Sequence, residues 1–370
     1  MFENKTVVIK FGTSVLTQGS NLLSKPHILD FVRQIKKLID NKFNIIIVSS
    51  GAIAAGREHL NFPTLSNKIA YKQMLASVGQ SQLMSEWAKY FSIYDLNIGQ
   101  MLLTRADLED RKRYLNAKDL LDELIVNDII PIINENDAVA TTEIKVGDND
   151  NLSASVAVLA NAKKLLMLTD QSGLFEENPT KNPDAKLIRS VHKIDHTTYA
   201  ISQGSSTKLG TGGMFTKIQA AEVACLSGIE VQIASGFEEN IILDTILRKK
   251  SIGTTFEPST LPIEKRKSWI LSGPISSGDI FLDEGANSAI LNNGKSLLSK
   301  GIISVKGTFE RGDVVTLFYK NQQIAKGITR YSSVDVKKIM QKHSSEIKNI
   351  LTYNYGSEVI HRDDLVITNK

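Results

Sequence analysis

Five short, almost wholly apolar runs punctuate the chain: TVVIKF from Thr6, NIIIVSS from Asn44, IIPIIN from Ile129, KLLMLTD from Lys164 and VQIAS from Val231. Runs this short, with no polar alternation, predict strands buried on both faces. Between them, apolar residues recur with helical spacing over His27–Asn41, Asn67–Tyr90, Ala117–Asn127, Leu152–Asn161 and Phe215–Ser227. Alternating strand and helix predicts an α/β fold, a mostly parallel sheet with helices on both faces. Near Gly253 the pattern breaks, and GTTFEPSTLPIEKRK, with its prolines and basic cluster, reads as a linker. From Trp269 onward, GDIFLDEGA, IISVKGTFERGDVVTLFY and QQIAKGITRY read as short strands parted by glycine-bearing turns, with a helical piece at Ser332–Met340. The expected organisation is a first domain over residues 1–255, a linker over 256–274 and a small β-rich domain over 275–370.

Composition narrows the function classes. A chain of 370 residues, 42% hydrophobic, can bury two cores. The 44 basic and 40 acidic residues leave a net charge of +4, too balanced to imply a polyanion partner. The single cysteine, Cys225, excludes an intrachain disulfide and a cysteine metal cluster, and fits a reducing cytoplasm. The N-terminal residues pass into a strand pattern without an apolar signal core, and no run approaches membrane-spanning length. A cytoplasmic protein with no membrane partner is expected.

The polar residues that break the apolar pattern carry the chemistry. Asn134, Glu135, Asn136 and Asp137 follow the third run, and Asp148, Asn149, Asp150 and Asn151 follow a short alternating stretch. The first cluster leaves the C-terminal end of a strand, where open α/β sheets bind ligands; a solvated loop is the alternative. Lys10 sits in an otherwise apolar strand, where its ammonium must leave the core or meet an anion. Gly12 and Thr13 follow, in a turn whose amides can contact phosphate or simply end the strand. Ser49, Ser50, Gly51 and Ala52 open a helix, as an anion cradle or as a plain cap. Thr211, Gly212, Gly213, Met214, Phe215, Thr216 and Lys217 form a glycine-paired helix start with a lysine one turn in. Thr169 and Asp170 end a strand, in a turn that serves a nucleotide's sugar or closes a loop.

Several chemistries are excluded. There is no Walker A spacing and no GxGxxG fingerprint. The histidines are scattered without metal-ligand spacing, and no serine lies in a GxSxG elbow. Two lysines, glycine turns and clustered acids remain, which suits phosphoryl transfer.

At this point VIKFGTSVL, VSSGAIAAGREHL, GQMLLTRAD, INENDAVATTEIKVGDNDNLSA, LTDQSGLF and GTGGMFTK, in that order, resemble the amino acid kinase family in its glutamate-phosphorylating branch. The blocks GDIFLDEGA, SLLSKGIISVKGTFERGDVV and GITRYSS look like a PUA domain, so the resemblance covers nearly the whole chain. It implies ATP-dependent phosphorylation of the γ-carboxylate of L-glutamate to L-glutamyl 5-phosphate, the first step toward proline. It implies Lys10, Lys217 and Asp150 as the catalytic set, Asp150 organising the two ammonium groups. Ser50, Asp137 and Asn149 would bind glutamate, with Gly51, Asn134 and Asp148 beside them. Lys10, Gly12, Thr13, Thr169, Asp170 and the loop from Thr211 to Lys217 would hold ATP. The resemblance further implies Mg2+ with ATP, whose protein ligands it does not specify, proline as feedback inhibitor and a homo-oligomer, dimer or tetramer. Functional coupling to glutamyl phosphate reductase and RNA binding through the PUA domain are further expectations. The stretch Thr104–Asn116 is the candidate for inhibitor coupling. Rival readings keep the fold but exchange the substrate for acetylglutamate, aspartate, carbamate or UMP, or make RNA binding the purpose of the chain.

Overall fold

The computed structural model describes residues 5–64, 66, 68–140, 148–179, 181–203, 213–259, 267, 270–271 and 276–368. The chain divides into two compact units, Met1–Pro262 and Ile263–Lys370. The first runs β1 (Thr6–Phe11), α1 (Thr13–Thr17), α2 (Lys25–Asp40), β2 (Asn44–Ser49), α3 (Ala52–His59), α4 (Ile69–Ser92), β3 (Asn97–Leu103), α5 (Arg105–Glu109) and α6 (Arg111–Val126). It continues with β4 (Ile129–Glu135), α7 (Asp148–Leu159), β5 (Lys164–Thr169), β6 (Ser190–Val191), α8 (His196–Gln203), α9 (Met214–Leu226), β7 (Glu230–Ser235) and β8 (Thr254–Phe256). The strands form one sheet in the order β3-β4-β2-β1-β5-β7-β8-β6. Every ladder in it is parallel except β7 with β8.

β1 is central, paired with β2 on one side and β5 on the other. The chain builds one flank first, then returns across β1 to build the other. Connections therefore diverge around β1 and leave a crevice at the C-terminal strand ends. Those ends are nearly level: Phe11 lies opposite both Ser49 and Leu168, and Val48 opposite Ile133.

Alternation along β1 sorts its side chains. Val7, Ile9 and Phe11 join a core with Ile28, Phe31, Val32, Ile35 and Leu38, the apolar stripe of α2. Phe11 packs 4.8 Å from Phe31 and 5.4 Å from Trp87, centroid to centroid. Lys10 consequently belongs to the opposite face of the sheet. α3 and α4 meet at two glycines: a Cβ on Gly79 would lie 1.7 Å from the Ala52 carbonyl oxygen, and one on Gly56 2.0 Å from that of Leu75. No larger residue permits this approach.

The five expected strands are present, and the sheet holds more. NIGQMLL forms β3, although Gly99 and Gln100 interrupt its apolar run; Gly99 leaves the space that Leu124 occupies. α6 starts at Arg111 rather than Ala117, and α7 at Asp148 rather than Leu152. The polar residues Asp148, Asn149 and Asp150 thus open a helix instead of prolonging a loop, as acidic and amide side chains do at N-termini. Phe256, assigned with the linker, is fully buried at the end of β8. The alternating stretch 141–147, the loop 204–212 and much of the expected linker (260–266, 268–269 and 272–275) lie outside the described residues.

In the second unit a five-stranded sheet takes the order Ile302–Gly307, Gly278–Leu282, Val314–Tyr319, Gln322–Ile328, Leu365–Ile367. Its core contains Ile280, Leu317, Phe309, Tyr331 and Val336. GDIFLDEGA, read as strand, turns helical after Leu282: Asp283 accepts a hydrogen bond from the Ala286 amide and caps the helix Glu284–Asn293. No helix among the described residues is long and apolar enough to cross a membrane.

Candidate active site

Four strand ends and two helix starts supply the site, all at the C-terminal edge of the first unit's sheet. Lys10 comes from β1, and α7 delivers Asp150 against it with an Nζ–Oδ1 distance of 2.7 Å. Lys217, on the first turn of α9, reaches the other oxygen, Oδ2, at 3.2 Å. Thr216 donates its hydroxyl to the same Oδ2 at 2.8 Å. The two lysine side chains are 8% exposed and that of Asp150 is 1% exposed. Burial works hardest against ionisation of Asp150, but Lys10, Lys217 and the Thr216 hydroxyl together hold its carboxyl below the usual range. Burial likewise lowers the Lys217 pKa, opposed by the Asp150 charge. Two ammonium groups and one carboxylate leave this buried trio one positive charge in excess. That excess charge favours an anion.

The preceding residue faces a different cluster. Asn149 donates Nδ2 to the Ser50 hydroxyl at 2.8 Å and to Asn134 Oδ1 at 3.0 Å. Asn134 Oδ1 also accepts from the Glu135 amide at 2.9 Å, while its Nδ2 donates to Gln80 Oε1 at 2.8 Å. Gln80, on α4, carries no signal in the sequence beyond its place beside an intrahelical glycine. Gly51 holds φ +104°, a left-handed turn that glycine favours, and so lets Ser50 lead directly into α3. Asp137 is half-buried, and burial pushes its carboxyl up. Among the described residues it forms no ion pair.

The structure therefore brings together Lys10, Asp150, Thr216 and Lys217 as one group, and Ser50, Asn134 and Asn149 as another. Gly12 lies against the Lys10 ammonium, a Cβ there falling 3.8 Å from Nζ, an ordinary contact. Its own N–H is committed to the Leu168 carbonyl at 3.2 Å, so the amides that open α1, starting with Thr13, are the ones left for a ligand. Thr169 donates to Asp170 at 3.0 Å across the end of β5, and Asp170 is exposed. Gly213 precedes α9 without a side-chain cap. Met214 is buried, and Phe215 is exposed with its ring 5.5 Å from that of Tyr199. Asp148 begins α7. Thr211 and Gly212 lie outside the described residues. Thr104, at the start of the stretch Thr104–Asn116, forms a reciprocal capping box with Asp107.

A carboxylate clamped between two lysines at the open edge of a parallel sheet, with a separate amide and hydroxyl cluster beside it, defines a site for joining an anion to a phosphate. Residues 5–235 match the model of the amino acid kinase family, and residues 278–351 that of the PUA domain. Carbamate kinase from Giardia lamblia shares the fold, at 17% identity and a TM-score of 0.51, over 70% of this chain and all of that one. Glutamate 5-kinase of Photobacterium profundum is 57% identical over 98% of this chain and 96% of its own length. That of Aliivibrio salmonicida is 56% identical over 99% of both, and that of Shewanella oneidensis 54% over 98% of both. The chain belongs to the amino acid kinase family, on its glutamate 5-kinase branch, with a PUA domain following the kinase unit in sequence.

Proposed function

We infer that this chain transfers the γ-phosphoryl group of ATP to the γ-carboxylate of L-glutamate, giving L-glutamyl 5-phosphate for proline biosynthesis. The observation that carries the reading is the pair of adjoining clusters, one with excess positive charge and one of neutral donors. They are joined through the consecutive residues Asn149 and Asp150. The first suits phosphate and the second an amino acid.

The nucleophile arrives ready. A side-chain carboxyl with a pKa of about 4.3 is ionised at neutral pH, so no general base is required. The barrier lies in bringing that anion in line with a triphosphate, and charge stabilisation dominates such transfers. At about 4 Å and an effective dielectric near 20, each lysine contributes on the order of 4 kcal/mol of gross attraction. Only the share gained in the transition state accelerates the step. Asp150, with both oxygens facing cations, fixes the spacing of Lys10 and Lys217. Asp137 or Asp148 takes the substrate's α-ammonium; Asp137 is half-buried with no ion pair among the described residues, which leaves its carboxylate for a ligand cation. Ser50 and Asn149 take a carboxylate and the polar remainder, with Gly51, Asn134 and Asp148 alongside. Lys10, Gly12, Thr13, Thr169, Asp170 and the loop from Thr211 to Lys217 take ATP.

Magnesium enters with the nucleotide. Among the described residues no three His, Cys, Asp or Glu side chains are grouped to hold a metal, and Asp150 is already engaged by two lysines. Phosphate oxygens of MgATP suit the ion better, as a hard cation that retains water.

An acyl phosphate is reactive toward water, which supports prompt transfer to glutamyl phosphate reductase. The division between Pro262 and Ile263 supports residues 1–255 as the kinase domain and 275–370 as the PUA domain, the latter a candidate RNA contact. Cytoplasmic residence, a dimer or tetramer, and proline inhibition acting through Thr104–Asn116 complete the reading. Trapping of the acyl phosphate as hydroxamate tests its core. Product with L-glutamate, and none with N-acetylglutamate or L-aspartate, is expected; product from either of those instead would overturn the substrate.

A further inference from the structure

The hydrogen bonds of the amide cluster have a direction, and backbone groups fix it at both ends. The Glu135 N–H can only donate, so the Asn134 atom that it meets must be Oδ1. Nδ2 of Asn134 then faces Gln80, whose facing atom must be the acceptor Oε1. At the other end, the Asn149 atom that meets Asn134 Oδ1 must be a donor. It also lies 3.5 Å from the Ser49 carbonyl oxygen, which can only accept. Asn149 therefore presents Nδ2 to Ser50 and uses the hydroxyl oxygen as acceptor. The Ser50 proton has no acceptor among the described residues, and Asn149 Oδ1 is buried without a partner there.

We propose that Gln80 is a positioning residue that anchors Asn134 in the place this polarity requires, so that Ser50 is left with a proton to donate to the substrate's carboxylate and Asn149 Oδ1 is left as an acceptor for the bound amino acid. Gln80 is half-buried on α4 and acts through Asn134. Were it unable to accept, Asn134 could not compensate by turning its amide over, because Nδ2 would then face the Glu135 N–H. The role rests on the reading of the site as a glutamate kinase.

Charge and hydrogen-bond polarity make opposite forecasts, which gives the test. Gln80→Lys adds a positive charge that attracts an acidic substrate but cannot accept from Asn134. Gln80→Glu adds a repulsive charge but accepts, and Gln80→Met does neither. Measured on the full-length protein by hydroxamate formation, Gln80→Met and Gln80→Lys are expected to raise the KM for glutamate about tenfold or more, with the KM for ATP unchanged. Gln80→Glu is expected to stay within about threefold of the parent. The reverse order, with the lysine variant binding glutamate best, would overturn the proposal, as would an unchanged KM in all three. Pairing Gln80→Met with Ser50→Ala gives a second reading that survives a general loss of stability. If Gln80 acts through the Ser50 hydroxyl the two losses overlap, whereas independent losses multiply and refute it. No product from the parent protein would overturn the function itself and the role with it, whereas normal parent turnover with an indifferent Gln80 removes the role alone.

Discussion

Asn149 and Asp150 are neighbours on the first turn of α7, yet one donates to Ser50 and Asn134 while the other bridges Lys10 and Lys217. Successive residues on a helix point about 100° apart, so one turn of α7 serves both halves of the site. Under the proposed function, displacement of that turn is expected to disturb acceptor binding and phosphoryl transfer together.

The lysines should separate from their carboxylate in kinetics. Lys10→Ala and Lys217→Ala are expected to lower kcat by about a hundredfold to a thousandfold, the loss typical of one transition-state donor. Asp150→Asn should lower kcat comparably yet leave ATP binding intact or tighter, because the pocket gains positive charge. Steady-state kinetics with ATP and glutamate varied separately check this, and near-parental turnover in either lysine variant would remove it from the catalytic set.

Two carboxyls should respond to acid with opposite sign. Asp150 is held below its ordinary pKa, so its share of stability is complete above the unfolded value of 3.8 and is lost as pH falls through the lower folded value. Asp137 is pushed up, so its ionised form costs stability above the folded value, and that cost is relieved as pH falls toward 3.8. Protonation of Asp137 also removes its attraction for an ammonium. The KM for glutamate should therefore rise on acidification sooner than an ordinary carboxyl would dictate. Asp137→Asn should raise that KM at neutral pH and flatten its dependence on acid.

Gly79→Ala tests the crossing of α3 and α4. Its methyl would fall 1.7 Å from the Ala52 carbonyl oxygen, a backbone atom that cannot swing aside. Overpacking of this kind costs about 1–3 kcal/mol, read as a lower melting temperature. The adjacent Gln80 would shift with the helix, so the KM for glutamate should rise while that for ATP holds.

Thr104→Ala removes one half of a capping box. Thr104 Oγ1 accepts from the Asp107 amide at 3.3 Å, and Asp107 Oδ2 accepts from the Thr104 amide at 2.8 Å. A loss of about 0.5–2 kcal/mol is expected in thermal or denaturant unfolding, and none at all would mean that the box contributes nothing to the fold.

How much of this was legible depends on the range of the interaction. β1 and its neighbours were plain in the sequence, because strands covered on both faces have no polar alternation to obscure them. Lys10 was legible as an anomaly within such a strand. Its partner Asp150 came only through the family resemblance, since nothing in the local pattern says that the return of the chain to β5 packs α7 against β1. β3 escaped notice because Gly99 and Gln100 divide its apolar residues. Gln80 escaped for another reason: a polar residue in a helix is ordinarily a solvated one, and nothing local says that α4 carries it to Asn134. The one clue was Gly79, since an intrahelical glycine costs about 1 kcal/mol and often marks a close approach.

The central place of β1 governs when the site can exist. During synthesis Lys10 emerges first and Lys217 last, and the chain is made at about 5–20 residues per second, so the trio of Lys10, Asp150 and Lys217 stays incomplete for much of translation. Until α9 docks, Asp150 has one of these two cations rather than both, and under the proposed function a partly made domain is expected to hold a triphosphate less well than the finished one. Nucleotide that binds only the completed arrangement stabilises it by mass action. ATP is thus expected to act as the last component of folding as well as the first component of the reaction.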